Sequence, residues 1–381
     1  MKLNDKTILI ISPEYWGINR ISKHHYALEL AKRNNTVYFL NPPSIILDNY
    51  DISLKKINKN LIIITYSLYL RGLNLLPNII RKYFHYIQAN NLLKSIKEKI
   101  DIVWSFDPYR FQNLTVFRAI LNIYHAVDIH KTKVELDIAN NADIILATSD
   151  KILERFVSVK KPKFKINHGL AEYFIGDENV QINGKKDYSN EISINKNIKA
   201  GYVGNLFYKY LDVKVFKSII RQNEEVFFYF IGPYEKSNLL GDECNLDFIN
   251  FLKNSKNVCL IGPRPSADLP FYLNHLDIFL LCYSGDKNVA EMSNPHKMLE
   301  YLSTGKAVVS HYVDEYIDYP DLIEMVESNR ELPIKFKEVV CNIEYYNSPI
   351  KSEARKAFAF QNTYMKQLDR IENLIVEQTR K

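Results

Sequence analysis

Short apolar runs alternate with amphipathic stretches through the first half of the chain. Residues 7–11, 37–40, 61–65, 102–106, 123–127 and 144–147 are strand-sized and rich in Ile, Val and aromatics. Between them, 22–33 and 78–99 have helical pattern. In the second of these, Ile79, Ile80, Tyr83, Phe84, Ile87 and Leu92 recur at helical spacing. Such alternation predicts βαβ units and a parallel sheet. Residues 176–196 are polar, carry little apolar content and read as a surface segment between domains. Alternation resumes at 200–203, 226–231, 258–261, 278–281 and 307–310, with helices at 212–221 and 295–304. From about residue 352 the tail reads as one helix, with Ala357, Phe360, Tyr364, Leu368, Ile371 and Ile375 on one stripe. The expected fold class is α/β, with two doubly wound Rossmann-like domains facing each other across a cleft. The boundaries fall at 1–178, a linker at 179–196, a second domain at 197–351, and a helix at 352–381 packing back toward the first domain. Ligands in such sheets bind beyond the carboxyl ends of the strands.

Composition narrows the chemistry. At 46% hydrophobic and 25% charged residues, the 381-residue chain is globular rather than disordered or fibrous. A net charge of +6 is too mild and too dispersed for a nucleic-acid partner. Cys244, Cys259, Cys282 and Cys341 never approach the spacing of a zinc site, and no metal is expected. Cys259 and Cys282 lie in apolar runs and read as reduced core residues, which fits the cytoplasm. The polar start, residues 1–7, does not read as a signal peptide, and no apolar run is long enough to span a bilayer. Only 12 glycines occur, roughly half the usual share of about 7%. Enzymes built on glycine-rich phosphate loops therefore start at a disadvantage.

The familiar motifs are absent. No GxGxxG follows the first strand, and Gly305-Lys306 runs into Ala307 rather than completing a P-loop. GxSxG, HExxH and paired aspartates are missing too. The informative stretch runs from Ser293 through Asn294, Pro295, Lys297 and Glu300 to Gly305 and the apolar run at 307–310. Asn294 suits an N-cap, Pro295 the first helical position, and Gly305 the stop. Free N–H groups at such a helix start form an anion site without a glycine loop. Lys297 in the first turn opposes the helix dipole, a local cost that a bound anion would offset. Glu300, one turn on, could accept two ribose hydroxyls. The alternative is a capped helix feeding a buried strand, with Glu300 merely solvated.

The spacing Asn294-Pro-x-Lys297-x-x-Glu300-Tyr-Leu-x-x-Gly305-Lys-x-Val-Val resembles the donor-site signature of GT-B glycosyltransferases of the group-1/family-4 type. The resemblance continues through Gly201-Tyr-Val-Gly204-Asn205, Phe230-Ile-Gly232-Pro233 and Gly262-Pro-Arg264-Pro. In the first half it rests on Ser12-Pro13, Trp16-Gly17 and Ile123-Tyr-His125-Ala-Val-Asp128. The chain is most similar to bacterial teichuronic-acid and exopolysaccharide members. The resemblance implies a nucleotide-diphosphate sugar as donor substrate, with no separate cofactor. Glu300 would bind the ribose, Asn294 and Lys297 would lie at the diphosphate, and Ser293 and Pro295 would also bind the substrate. Gly204 and Asn205 would approach the diphosphate from the opposite side, Gly262 and Arg264 would flank the base, and Lys209 and Gly232 would also bind the substrate. Trp16, Gly17 and His125 would face the acceptor. Met292 stands eight positions before Glu300, where retaining members carry an acidic residue, with Glu291 one residue off. The Arg and Lys that follow the first glycine turn in the family are represented only by Lys209, between Tyr208 and Tyr210.

Glycosyl transfer needs a stabilised diphosphate leaving group and an acceptor hydroxyl that loses its proton. Lys297, with Lys209 or Arg264, could supply the first without metal. Asp128 is the preferred base and Asp107 the runner-up; either could instead serve strand-end turn chemistry. The expected acceptor is a saccharide or a lipid-linked saccharide of a cell-surface polysaccharide. Residues 66–82 mix aromatics and Leu with Arg71, Arg81 and Lys82. They suit an anionic membrane on the inner face of the plasma membrane, or else a loop and helix packed on the first domain. Two other function classes remain open: a sugar-nucleotide 2-epimerase-like isomerase, and a non-catalytic nucleotide-sugar-binding partner.

Overall fold

A computed structural model describes residues 1–44, 51–69, 72–176, 192, 198–235, 243–284 and 294–380. It divides into two compact units, Met1–Gly169 with Tyr364–Lys381, and Leu170–Thr363. The first opens with β1 (Thr7–Ile11), α1 (Ser22–Lys32), β2 (Thr36–Leu40), β3 (Ile52–Asn58) and β4 (Leu61–Tyr66). It continues through α2 (Asn78–Ile96), β5 (Ile102–Ser105), β6 (Leu121–Ala126), α3 (Thr132–Asn141), β7 (Ile144–Ala147), α4 (Asp150–Glu154) and β8 (Lys163–Lys165). The second unit runs β9 (Lys199–Val203), α5 (Val213–Gln222), β10 (Phe227–Ile231), α6 (Glu243–Asn254), β11 (Val258–Gly262), α7 (Leu269–Asn274) and β12 (Ile278–Leu281). It ends with α8 (Lys297–Ser303), β13 (Ala307–Ser310), β14 (Glu324–Met325), α9 (Leu332–Cys341), α10 (Ile343–Tyr346) and α11 (Pro349–Gln361). Helix α12 (Tyr364–Arg380) returns to the first unit.

Each unit is a wound sheet. The first has strand order β3-β4-β2-β1-β5-β6-β7-β8, parallel except for β3 against β4; the second has β11-β10-β9-β12-β13-β14, all parallel. Along β1, Ile8 and Ile10 join one buried cluster and Leu9 and Ile11 another, so helices cover both faces of the sheet. That double burial is why these strands read as unbroken apolar runs. The α/β expectation of two doubly wound sheets matches the structure.

Two differences from the sequence reading have physical causes. The tail is two helices rather than one. Its backbone breaks at Asn362 and Thr363, where the Leu170 N–H donates to the Asn362 carbonyl at 2.7 Å and Leu170 bridges Thr363. Ala359 is buried in α11 and Ala357 is exposed, so the stripe holds only from Tyr364 onward. Strand β3 was not expected at all: it is a charged edge strand (ISLKKIN), exposed over most of its length. Its lysines block further strand pairing.

Candidate functional site

The second unit concentrates its unusual chemistry at the carboxyl ends of three adjacent strands. Gly204 follows β9, Gly232 follows β10 and Gly262 closes β11. The Gly204 N–H donates to the Ile231 carbonyl at 2.8 Å, and the Gly232 N–H to the Gly262 carbonyl at 2.9 Å. Gly204 and Gly232 have φ of 157° and 146°, and a Cβ on Gly232 would collide with the Gly204 carbonyl oxygen. A Cβ on Gly204 would come within 2.6 Å of the Tyr202 hydroxyl and 2.9 Å of Lys297 Cε. The Lys297 side chain therefore lies directly across the first glycine turn. Residues far apart in sequence, each marked as a diphosphate contact, meet here.

The helix carrying Lys297 differs from expectation. It begins at Lys297 rather than Pro295, and His296, not Asn294, occupies the cap position without a side-chain cap. The Met298 N–H bonds the Pro295 carbonyl at 3.0 Å, so the chain enters through a tight turn. That turn contains Pro295 and His296, and the regular helix starts only after it. Asn294 is buried and Ser293 lies outside the described residues, as do Glu291 and Met292. With seven residues, α8 contributes a small dipole. The positive charge at this end comes from Lys297, whose ammonium is 3.4 Å from the Tyr283 hydroxyl. Gly305 ends the helix as expected, its N–H on the Leu302 carbonyl at 3.0 Å.

Glu300 lies half-buried within α8. Burial raises its pKa from the ordinary 4.5 to about 7, while the Lys297 ammonium pulls the other way. It can thus change protonation near neutral pH, a property that clusters at functional sites. The other expected contacts are held by neighbours. Asn205 is exposed and its Oδ1 accepts the Phe207 N–H at 2.9 Å; the Lys209 ammonium sits 4.5 Å from the Tyr210 ring centre. Arg264 donates from Nε to the Tyr272 hydroxyl at 2.7 Å, which anchors it to α7.

Sequence reasoning missed the aromatic scaffold. The Tyr301 hydroxyl accepts the Val203 N–H at 2.8 Å and its ring stacks on Phe279 at 4.4 Å, tying α8 to β9 and β12. Tyr283 packs edge-on against Tyr208 at 5.2 Å. His311, just past β13, is buried with Nδ1 3.2 Å from the Leu281 carbonyl, and burial lowers its pKa to about 4. The signal available was aromatic density, with tyrosines at 202, 208, 210 and 283 all beside strand ends.

In the first unit the strand ends are tied to one another. Arg110 donates from Nε to Asp107 Oδ2 at 2.5 Å, from Nη1 to the Asn41 carbonyl at 2.9 Å and the Tyr66 hydroxyl at 3.0 Å, and from Nη2 to the Ser12 carbonyl. One guanidinium so joins the ends of β1, β2, β4 and β5. Asp107 Oδ1 also accepts the Tyr109 and Arg110 N–H groups. This buried, engaged carboxylate ties the strand ends together. Asp128, two residues past β6, is exposed. His125 is corrected. It is 1% exposed, enclosed by the rings of Tyr26, Trp104 and Phe106, and burial lowers its pKa to about 3. A neutral core imidazole does not face an acceptor. Trp16 packs edge-on against His24 at 5.4 Å and Phe39 at 5.0 Å, and Gly17 beside it is exposed.

Among the described residues, no group of three or more His, Cys, Asp or Glu side chains is arranged to hold a metal ion. Cys259, Cys282 and Cys341 are free thiols.

No family model and no curated protein matches the chain in sequence. Solved structures match it throughout. Sucrose-phosphate synthase from Thermosynechococcus elongatus aligns with a TM-score of 0.68 at 11% identity, covering 98% of this chain and 99% of that one. A UDP-forming trehalose-phosphate synthase from Burkholderia xenovorans, in complex with glucose-6-phosphate, gives 0.68 at 12% identity, covering 96% and 99%. HepE from Anabaena, in complex with UDP and glucose, gives 0.62 at 14% identity, covering 98% and 99%. The chain has the GT-B type of fold, with two doubly wound α/β units.

Proposed function

We propose that the protein is a glycosyltransferase that moves a sugar from a nucleotide-diphosphate donor to a saccharide or lipid-linked saccharide acceptor, in building a cell-surface polysaccharide. The observation that carries this reading is Lys297 lying across the Gly204 turn with Glu300 one helical turn beyond it. In the reading, the Lys297 ammonium stabilises the charge that develops on the leaving diphosphate, and the bare backbone at Gly204 and Gly232 lets it approach. The Glu300 carboxylate accepts the two ribose hydroxyls. Gly262 and Arg264 flank the base, with the guanidinium held in place by Tyr272. The structural likeness to HepE with UDP and glucose, and to a UDP-forming synthase, supports a donor of this class. Lys297 lets this chain stabilise the leaving group with its own cation. Free thiols fit a cytoplasmic protein.

For the proton taken from the acceptor hydroxyl, the reading assigns Asp128, whose carboxylate is exposed at the end of β6. Asp128→Asn should lower acceptor-dependent turnover by about 10²–10⁴-fold while donor binding stays at wild-type strength. Unchanged turnover removes Asp128 as the base. Conversion of the sugar nucleotide without any acceptor would mark an isomerase instead, and tight binding without conversion a non-catalytic partner.

A further inference from the structure

Helix α2 inverts the usual pattern on its outward face. A helix packed on a sheet normally turns polar residues to water. Here Ile79 is 84% exposed and Tyr83 and Tyr86, four and seven residues on along the same line, are 62% and 46% exposed. Leu75, in the short turn before the helix, is 90% exposed. The inward face is ordinary, since Ala89, Leu92 and Ile96 belong to the core. The outward line also carries the exposed Lys82 and Lys94, and α2 contains no Asp or Glu. Arg118 reaches it too, donating to Asn90 Oδ1 at 3.3 Å. The strip expected at residues 66–82 is thereby moved. Tyr66 and Leu73 are buried, Arg81 donates to Gln112 at 3.5 Å, and Arg71 lies outside the described residues.

We propose that this face docks on an anionic lipid surface. Leu75, Ile79 and Tyr83 enter the headgroup boundary, and Lys82, Lys94 and Arg118 meet lipid phosphates. A second copy of the chain is the poorer occupant, because two such faces bring lysines together with no acidic residue on the helix to pair them. The surface belongs to the first unit and is independent of the donor reading.

The test is flotation of the full chain with phosphatidylcholine vesicles, with and without phosphatidylglycerol, at low and high salt. The wild type should float with phosphatidylglycerol vesicles at low salt and be released by high salt. Lys82→Ala and Lys94→Ala should each weaken binding about fivefold. Ile79→Asp combined with Tyr83→Asp should weaken it by more than about tenfold, and the milder pair Ile79→Ser and Tyr83→Ser should act in the same direction without changing thermal unfolding. Failure of the wild type to float at low salt, or flotation unaffected by the aspartate pair, overturns the proposal. So does a wild-type dimer in sedimentation velocity that the aspartate pair dissociates, which would make a second copy the occupant.

Discussion

The two units share a wound parallel sheet and use the carboxyl ends of their strands in opposite ways. In the first, Arg110 gathers Ser12, Asn41, Tyr66 and Asp107 into one partly buried set of hydrogen bonds, so polar groups at four strand ends satisfy each other. In the second, glycine turns at three neighbouring strand ends remove side chains, and Lys297 is brought to the bared backbone, with the perturbed Glu300 one helical turn further along α8. A strand end that spends its polar groups on itself is scaffold. One that clears space and leaves a cation and a titratable carboxyl beside it can receive a ligand.

Three substitutions test that contrast. Arg110→Ala should have the largest effect, about 3–5 kcal/mol of stability lost in chemical denaturation, because it leaves Asp107 charged, buried and without its partner. A loss within experimental scatter would mean the first unit's strand ends are not tethered as described. Gly232→Ala should cost roughly 1–3 kcal/mol through collision with the Gly204 carbonyl. It should also weaken nucleotide binding, a second readout that Arg110→Ala does not predict. The smallest effect concerns Glu300. Folding raises its pKa from 4.5 to about 7, so the folded chain retains a proton that the unfolded chain loses in that interval. Stability from this group is therefore present below pH 4.5 and declines as pH rises through about 7. Glu300→Gln mimics the protonated form. It should melt with the wild type at acid pH and above it at pH 8, by on the order of 3 °C. Equal melting at both pH values would show that the carboxyl is not perturbed.

How much of this was legible in the chain depends on what enforces each feature. Strands β1, β7, β12 and β13 match the sequence reading to the residue, because burial on both faces demands the unbroken Ile, Leu and Val runs seen there. Strand β3 escaped because an exposed edge selects Lys rather than apolar residues. The break after α11 escaped because no Pro or Gly marks it: Asn362 and Thr363 are held by Leu170, nearly two hundred residues earlier. In the site, Gly204, Gly232, Lys297 and Glu300 were found through their resemblance to a known donor signature, and the meeting of Gly204, Gly232 and Lys297 through structure alone. The burial of His125 was hidden because a strand-end His looks the same in sequence whether it faces solvent or the rings of Tyr26, Trp104 and Phe106. The Asp107–Arg110 pair stood three residues apart and could have been noticed as a local ion pair.

The most direct test is calorimetric titration of the full chain with nucleoside diphosphates, comparing the wild type with Glu300→Ala. The account predicts that the wild type binds at least one of them, and that the variant, still folded by circular dichroism, loses more than about tenfold in affinity. Wild-type affinity in Glu300→Ala, or no binding of any nucleoside diphosphate by the wild type, would contradict a donor site at Gly204, Lys297 and Glu300.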